Sequence, residues 1–388
     1  MERITKIKEV TFGVTPVGPW DTVRYISETL SGNPQTVESA EARSDRASGG
    51  TLLTGLTVEG NIEAELSSSD TSYKDFLLAG MMAPNWVAST TATSTYTIDN
   101  TAKTITDTGA GPDLTTIVSV GGAVVLKSPF LLNVNKVVYV SAVTPTVITY
   151  IGNLQDETAV VGATLGGPEY AEVGGGATTT SHSFTIEKNF LDLTQKAIDY
   201  IGSLVGGFTL NFEYGALAAL TLAFNAKDWK VPAIPLTDPP TVVNPPDDDI
   251  PVNSSGDMGA IIIDNIDQAL CFQSLSIELN NNLTPQNCLG ILTATDFTPG
   301  SATITVNANL YLGDNSFQYV SKKITNTPIS IFFSATNADG GVAGYLPKVL
   351  LNSPDPSSTG ANTEIILNLT GSASAPTPPQ NQFRLYWI

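Results

Sequence analysis

Histidine occurs once in this chain and cysteine twice, a scarcity that removes most catalytic chemistry at the outset. His182 lies in a Thr/Ser/Gly stretch, and no other residue has the spacing to complete a metal site or a triad with it. Cys271 and Cys288 make neither a disulfide framework nor a C-x-x-C pair. The expectation is two buried or half-buried thiols in a chain folded in reducing surroundings, with a bond between them left open. No Walker loop, no G-x-G-x-x-G after a strand and no H-E-x-x-H occurs, so neither cofactor nor metal is expected.

Basic residues are the second shortage. Lys and Arg number 18 against 37 Asp and Glu, for a net charge of −19. Holding a DNA duplex by its phosphates needs clustered cations, which this composition lacks; the acidity otherwise serves solubility. Long apolar runs are missing too. Residues 259–263 are far too few to span a bilayer, and the opening MERITKIKEV has no apolar signal core, so a soluble product made without export is expected. Glu/Lys/Ala/Leu helical tracts are absent.

What remains is 41% hydrophobic and rich in Thr, Asn, Ser, Gly and Val, the composition of an all-β protein with many turns. At 388 residues the chain exceeds the roughly 250–300 at which a single core stops growing, so two or three domains are expected. The most informative stretch is 56–81, LTVEGNIEAELSSSDTSYKDFLLAGM. Val58, Ile62, Ala64 and Leu66 alternate with Glu59, Asn61, Glu63 and Glu65, a period of two that sets an apolar face against a polar one. A short helix carrying Tyr73, Phe76, Leu77 and Leu78 follows.

The same grammar returns at 303–312. Ile304, Val306, Ala308 and Leu310 alternate with Thr305, Asn307 and Asn309, before a turn and a helix-like run with Phe317, Val320 and Ile324. Upstream, 24–30 and 274–283 each lead into a long loop; downstream, FTIE at 184–187 matches ISIF at 329–332. Strand, long loop, strand, short helix, strand thus occurs twice, which reads as a tandem duplication, with chance similarity among β-rich segments as the alternative. The expected division is a first β-domain of residues 1–93 and 181–229, interrupted by a small β-domain at 94–180. A proline-rich linker at 230–255 and a second β-domain at 256–388 complete it. Short alternating runs are expected at 96–98, 115–118, 136–140 and 147–151. Residues 1–20 read as an extended arm outside the core, 191–201 as an amphipathic helix, and 208–214 and 220–226 as strands. The linker holds seven prolines and is expected to be stiff and outside any ladder. The apolar C-terminal run 383–388 should be packed.

Loop 31–50 carries Glu38, Glu41, Arg43, Asp45 and Arg46, a mixed-sign cluster that suits either a wet contact with another subunit or a solvated loop. Paired carboxylates can serve a glycosidase. Glu59, Glu63 and Glu65 repeat along one face, however, and coat a surface without forming a cleft; no enzyme activity is expected.

Phe12-Gly13-Val14-Thr15-Pro16, the 39–46 loop, Thr54-Gly55-Leu56 leading into Val58-Glu59-Gly60-Asn61-Ile62, and Tyr73-Lys74-Asp75-Phe76-Leu77 together resemble the major tail tube proteins of long-tailed bacteriophages. Residues 184–188, 274–277 and 280–283 fit the same pattern, whereas the 94–180 insertion departs from it. The resemblance implies tail-tube β-sandwich or barrel domains whose sheets join between subunits into rings that stack as a hollow tube. It implies an acidic, polar lumen lined by Glu59, Asn61, Glu63, Glu65, Thr305, Asn307 and Asn309, unless these side chains face outward. The 38–46 loop would then cross between rings. Two repeats per chain imply trimeric rings with pseudo-six-fold symmetry, with hexamers as the alternative. Further implied are tape measure and tail terminator proteins as partners, passage of double-stranded DNA without specific binding, no membrane, assembly in the host cytoplasm and a final place in the virion tail. The rival class is an extracellular β-rich surface, adhesin or fibre-type protein, which the Thr/Asn/Gly richness fits and the missing export signal opposes.

Overall fold

The computed structural model describes residues 2–388 apart from 41–49, 69–70, 89, 175–178, 195, 238–242, 247, 267–269, 353–355, 357–363 and 377–380. Alternating sequence produces strands nearly throughout. The first run is β1 (Glu2–Lys8), β2 (Trp20–Val23), β3 (Ser27–Glu28), β4 (Ser31–Glu38) and β5 (Thr51–Glu65), followed by helix α1 (Thr71–Gly80). Six strands then close into a barrel: β6 (Thr91–Asp99), β7 (Thr104–Asp107), β8 (Ala123–Lys127), β9 (Val137–Val143), β10 (Val147–Ile151) and β11 (Glu157–Gly166). Next come β12 (Glu169–Gly174), β13 (Ser183–Phe190), β14 (Ala197–Glu213), β15 (Ala219–Ala226), β16 (Asp228–Lys230) and β17 (Val243–Asn244). The last part holds β18 (Met258–Ile263), β19 (Phe272–Asn280), β20 (Thr284–Gln286), β21 (Asp296–Thr298), β22 (Thr303–Tyr311) and helix α2 (Asp314–Ile324). It ends with β23 (Ile329–Asn337), β24 (Gly340–Leu351), β25 (Ile366–Ala373) and β26 (Asn381–Trp387). The protein is all-β with two short helices among the described residues.

Strand pairing follows one plan twice. In the first part the antiparallel order is β1-β13-β14-β15-β5-β3. In the second it is β18-β23-β24-β25-β22-β19, built from strands met in the same chain order with a helix at the same place. Even the irregularities coincide: a register shift between Phe184 and Ile186 on β13 is matched by one between Ile329 and Ile331 on β23. These bulges put Glu59, Asn61 and Glu63 in the positions of Thr305, Asn307 and Asn309. The two parts share one hydrophobic core. Phe76 of α1 stands edge-on to Phe184 and Phe224 at 5.0 and 5.2 Å, and Tyr73, Phe76 and Leu77 are fully buried. Spacing of three and four residues puts all three on one helix face.

Several local expectations are corrected. Residues 191–201 are a turn and the start of the 17-residue strand β14, not a helix. β-branched Ile198, Ile201 and Val205 favour a pleated surface, and both faces of the first half of this strand are covered, which erases there the alternation that marks a half-exposed strand. The first residues belong to the sheet, since β1 pairs with β13 along its whole length and Ile4 is buried. The run at 115–118 overlaps a 3-10 turn (Leu114–Thr116), capped by the Asp113 carboxylate. Cys271 and Cys288 are both exposed and unbonded. Helix α2 is anchored by Tyr319, with Phe317 and Ile324 exposed. The proline-rich segment does join a ladder: Val243 and Asn244, between prolines, pair in parallel with Trp20 and Asp21.

Candidate functional site

One sheet runs unbroken through both parts of the chain, because β14 is long enough to serve two neighbours. Its first half pairs with β13, while residues from Gly207 to Glu213 pair with β19 on one side and β15 on the other. Glycine is required at the crossover. A Cβ on Gly207 would sit 2.3 Å from the Leu279 carbonyl oxygen, so only glycine lets the two backbones approach.

The resulting order β5-β15-β14-β19-β22-β25 brings the two sequence-separated polar rows onto one face. A single hydrogen-bonded row reads Glu63, Thr221, Thr209, Glu278, Thr305, Ser372. The next reads Glu65, Ala219, Asn211, Ser276, Asn307, Thr370, and Glu213, Ser274, Asn309 and Asn368 continue the pattern. Glu59, Asn61, Glu63 and Asn307 are exposed; Glu65, Thr305 and Asn309 are half-buried. Opposite them Val58, Ile62, Ala64, Ile304, Val306 and Ala308 are buried in the core. All seven residues singled out in the sequence therefore share one surface.

The same surface has members that sequence reasoning did not single out: Glu213 and Glu278, with Thr209, Asn211, Ser274 and Ser276 between them. The signal was present as alternation in both strands, but nothing local reveals that β14 and β19 lie side by side. Five carboxylates (Glu59, Glu63, Glu65, Glu213 and Glu278) occupy this face, and no Lys or Arg stands in its strands among the described residues. Amides and hydroxyls fill the remainder and bond laterally. Ser27 Oγ donates to the Glu63 carboxylate at 2.8 Å, and Asn309 Nδ2 donates to Ser274 Oγ at 3.0 Å. The Glu364 carboxylate beside Tyr311 pushes that phenol upward, keeping it neutral. Among the described residues no group of three or more His, Cys, Asp and Glu could hold a metal. It is a broad, anionic and amide-rich wall.

Two hairpin arms project beyond the end of this sheet. The first is β4–β5, where Val37 pairs with Leu52; the second is β20–β21, where Thr284 pairs with Thr298 at the equivalent position. Glu38 closes β4, while Glu41, Arg43, Asp45 and Arg46 lie outside the described residues.

A search of curated proteins finds no match. The family described as phage tail tube protein matches residues 2–373, nearly the whole chain. On that match the chain belongs to the phage tail tube protein family.

Proposed function

We propose that three copies of this chain close into a ring, that rings stack into a hollow tail tube, and that the anionic sheet face lines a channel for double-stranded DNA. The observation that carries the reading is the β14–β19 junction. β19 is paired on both sides, whereas its counterpart β3 is paired only with β5 among the described residues. A neighbouring copy that adds a strand beside β3 fits that open side. Closure leaves no edge for uncontrolled pairing. The duplication used here divides the chain as 1–93 with 181–229, 94–180, the linker 230–255, and 256–388.

The register sets the size of such a ring. Glu63 is equivalent to Asn309, yet its hydrogen-bonded row arrives at Thr305, a stagger of four residues over four strands. With about 3.3 Å per residue and about 4.8 Å between strands, the strands tilt by about 35°. Six repeats then make a 24-strand barrel about 45 Å across between backbones, room for a hydrated duplex. Carboxylates on the wall repel the phosphates, so DNA slides without capture; cations would hold it. The hairpin arms, with Glu38 on the first, stand at the ring's end, where the next ring stacks. Tape measure and tail terminator proteins are the expected further partners, within and at the end of the tube. The protein's role is structural, in the virion tail after assembly in the host cytoplasm.

Mass measurement of assembled rings with averaged end-on images tests the proposal. Three chains around a channel of about 45 Å is the expected result; six chains, or isolated monomers at high concentration, overturn it.

A further inference from the structure

The chain seats one of its two arms itself. In the β20–β21 arm, Phe297 and Ala294 pack on Leu204 and Phe12 of the first repeat, with the rings of Phe12 and Phe297 edge-on at 6.5 Å. At the tip, the Leu292 carbonyl accepts from the Leu56 N–H at 2.7 Å, just past the end of the β5–β15 ladder. The second arm thus lies across the end of the first repeat and rests its tip at the base of the first arm.

Among the described residues, Val37, Leu52 and Leu53 of the first arm belong to no hydrophobic cluster comparable to that of Phe297 and Ala294. Val37, Leu52 and Leu53 are 58%, 69% and 50% exposed. Its loop is the longer, twelve residues between Glu38 and Thr51 against nine between Gln286 and Asp296. By the strand equivalence, the position of Leu56 in the second repeat is Ala302. No described residue accepts from the Ala302 N–H. Beside it opens a cavity of about 320 Å³, lined by Met81, Met82, Val173, Pro299, Ala302 and Gln382 among others. The vacancy stands where the pseudo-symmetry calls for an arm.

We propose that this cavity receives the β4–β5 arm of a second copy of the chain in the same ring, the Ala302 N–H donating to an arm carbonyl as the Leu56 N–H donates to Leu292. The proposal rests on the ring reading. It turns the six arms of three chains into a continuous belt, and it covers the exposed leucines without a further partner. The belt forms the surface that meets the adjacent ring.

The test uses full-length protein assembled from an equal mixture of ordinary and ¹⁵N-labelled chains, with a photo-crosslinking residue in place of Gln382. Mass spectrometry of the adducts should find peptide 38–52 joined to position 382, with half of the adducts carrying one light and one heavy partner. A probe at the exposed Ser301 on the same rim repeats the measurement should position 382 disturb β26. Rings visible by negative stain but with adducts confined to single chains, or to other peptides, overturn the seat alone. A sample with no rings overturns the ring reading and the seat with it.

Discussion

Reversing the charge of the channel wall exposes the proposed function to direct measurement. Glu59→Lys, Glu63→Lys and Glu65→Lys together convert three of the five carboxylates per chain into ammonium groups and leave Glu213 and Glu278. All three side chains stand on the solvent face of β5. The hydrogen bond lost is that from Ser27 Oγ to Glu63, worth about 1 kcal/mol, so folding and ring closure persist. DNA presents one phosphate charge per ~1.7 Å of axis, and a stack of such rings offers it cations along its whole path. If six to ten phosphates engage at once, binding changes by about 10³–10⁵ between 50 and 200 mM salt. Release of DNA from variant particles should slow by at least about tenfold at 50 mM salt and recover as salt rises, and purified variant tubes should bind labelled duplex that wild-type tubes ignore. Tubes of normal shape that neither bind duplex nor slow release at low salt would refute the placement of this row in the channel.

Asp199, buried and directly across from Glu187, has its pKa raised to about 7 by burial first and then by the Glu187 charge, with Lys230 opposing. The folded state therefore holds a proton that the unfolded chain releases near pH 4, so stability is fullest below that pH and falls between pH 4 and 7, by on the order of 4 kcal/mol. Chemical denaturation at pH 5 and pH 8 should show the fall, and Asp199→Asn should flatten it. Gly207→Ala forces β14 and β19 apart and should cost on the order of 2–3 kcal/mol and most of the ring yield, whereas Gly167→Ala, whose Cβ would meet nothing closer than 3.6 Å, leaves both unchanged. Phe76→Ala empties the site between Phe184 and Phe224 and should lower unfolding free energy by about 3–5 kcal/mol, read from denaturant titration.

The polar rows were legible because a half-exposed strand prints its two faces into the sequence: Glu59 to Glu65 and Thr305 to Asn309 alternate cleanly with buried residues. Their union on one surface was not. It depends on β14 pairing with β19, two strands separated by the linker, and non-local pairing leaves no local trace. The first half of β14 reads poorly because burial on both sides replaces alternation by a continuous apolar and glycine-rich run. The exposed cysteines and the N-terminal strand failed for a related reason: short segments take their burial from partners far away in the chain.

The proposed duplication also gives a reason for two repeats in one chain. On the sheet facing away from the channel, Ala260, Ile262, Phe332 and Tyr345 occupy the positions of Arg3, Thr5, Glu187 and Asp199. The apolar set is covered by the six-stranded barrel, whose Tyr139 lies 5.6 Å from Phe332 and 5.5 Å from Tyr345, ring to ring. The polar set is covered by the linker, where the Leu236 N–H and the Thr237 hydroxyl donate to the Glu187 carboxylate. In the proposed ring, inner faces must stay alike, because closure would repeat the same pairing at every junction; outer faces are free to diverge, and only a fused pair can make them alternate. The ring should therefore carry three barrel-shaped protrusions around its outside, at every second repeat. End-on averages of assembled tubes measure this directly, and six equivalent protrusions, or none, would show that the two outer faces are not presented side by side as the sheet junction requires.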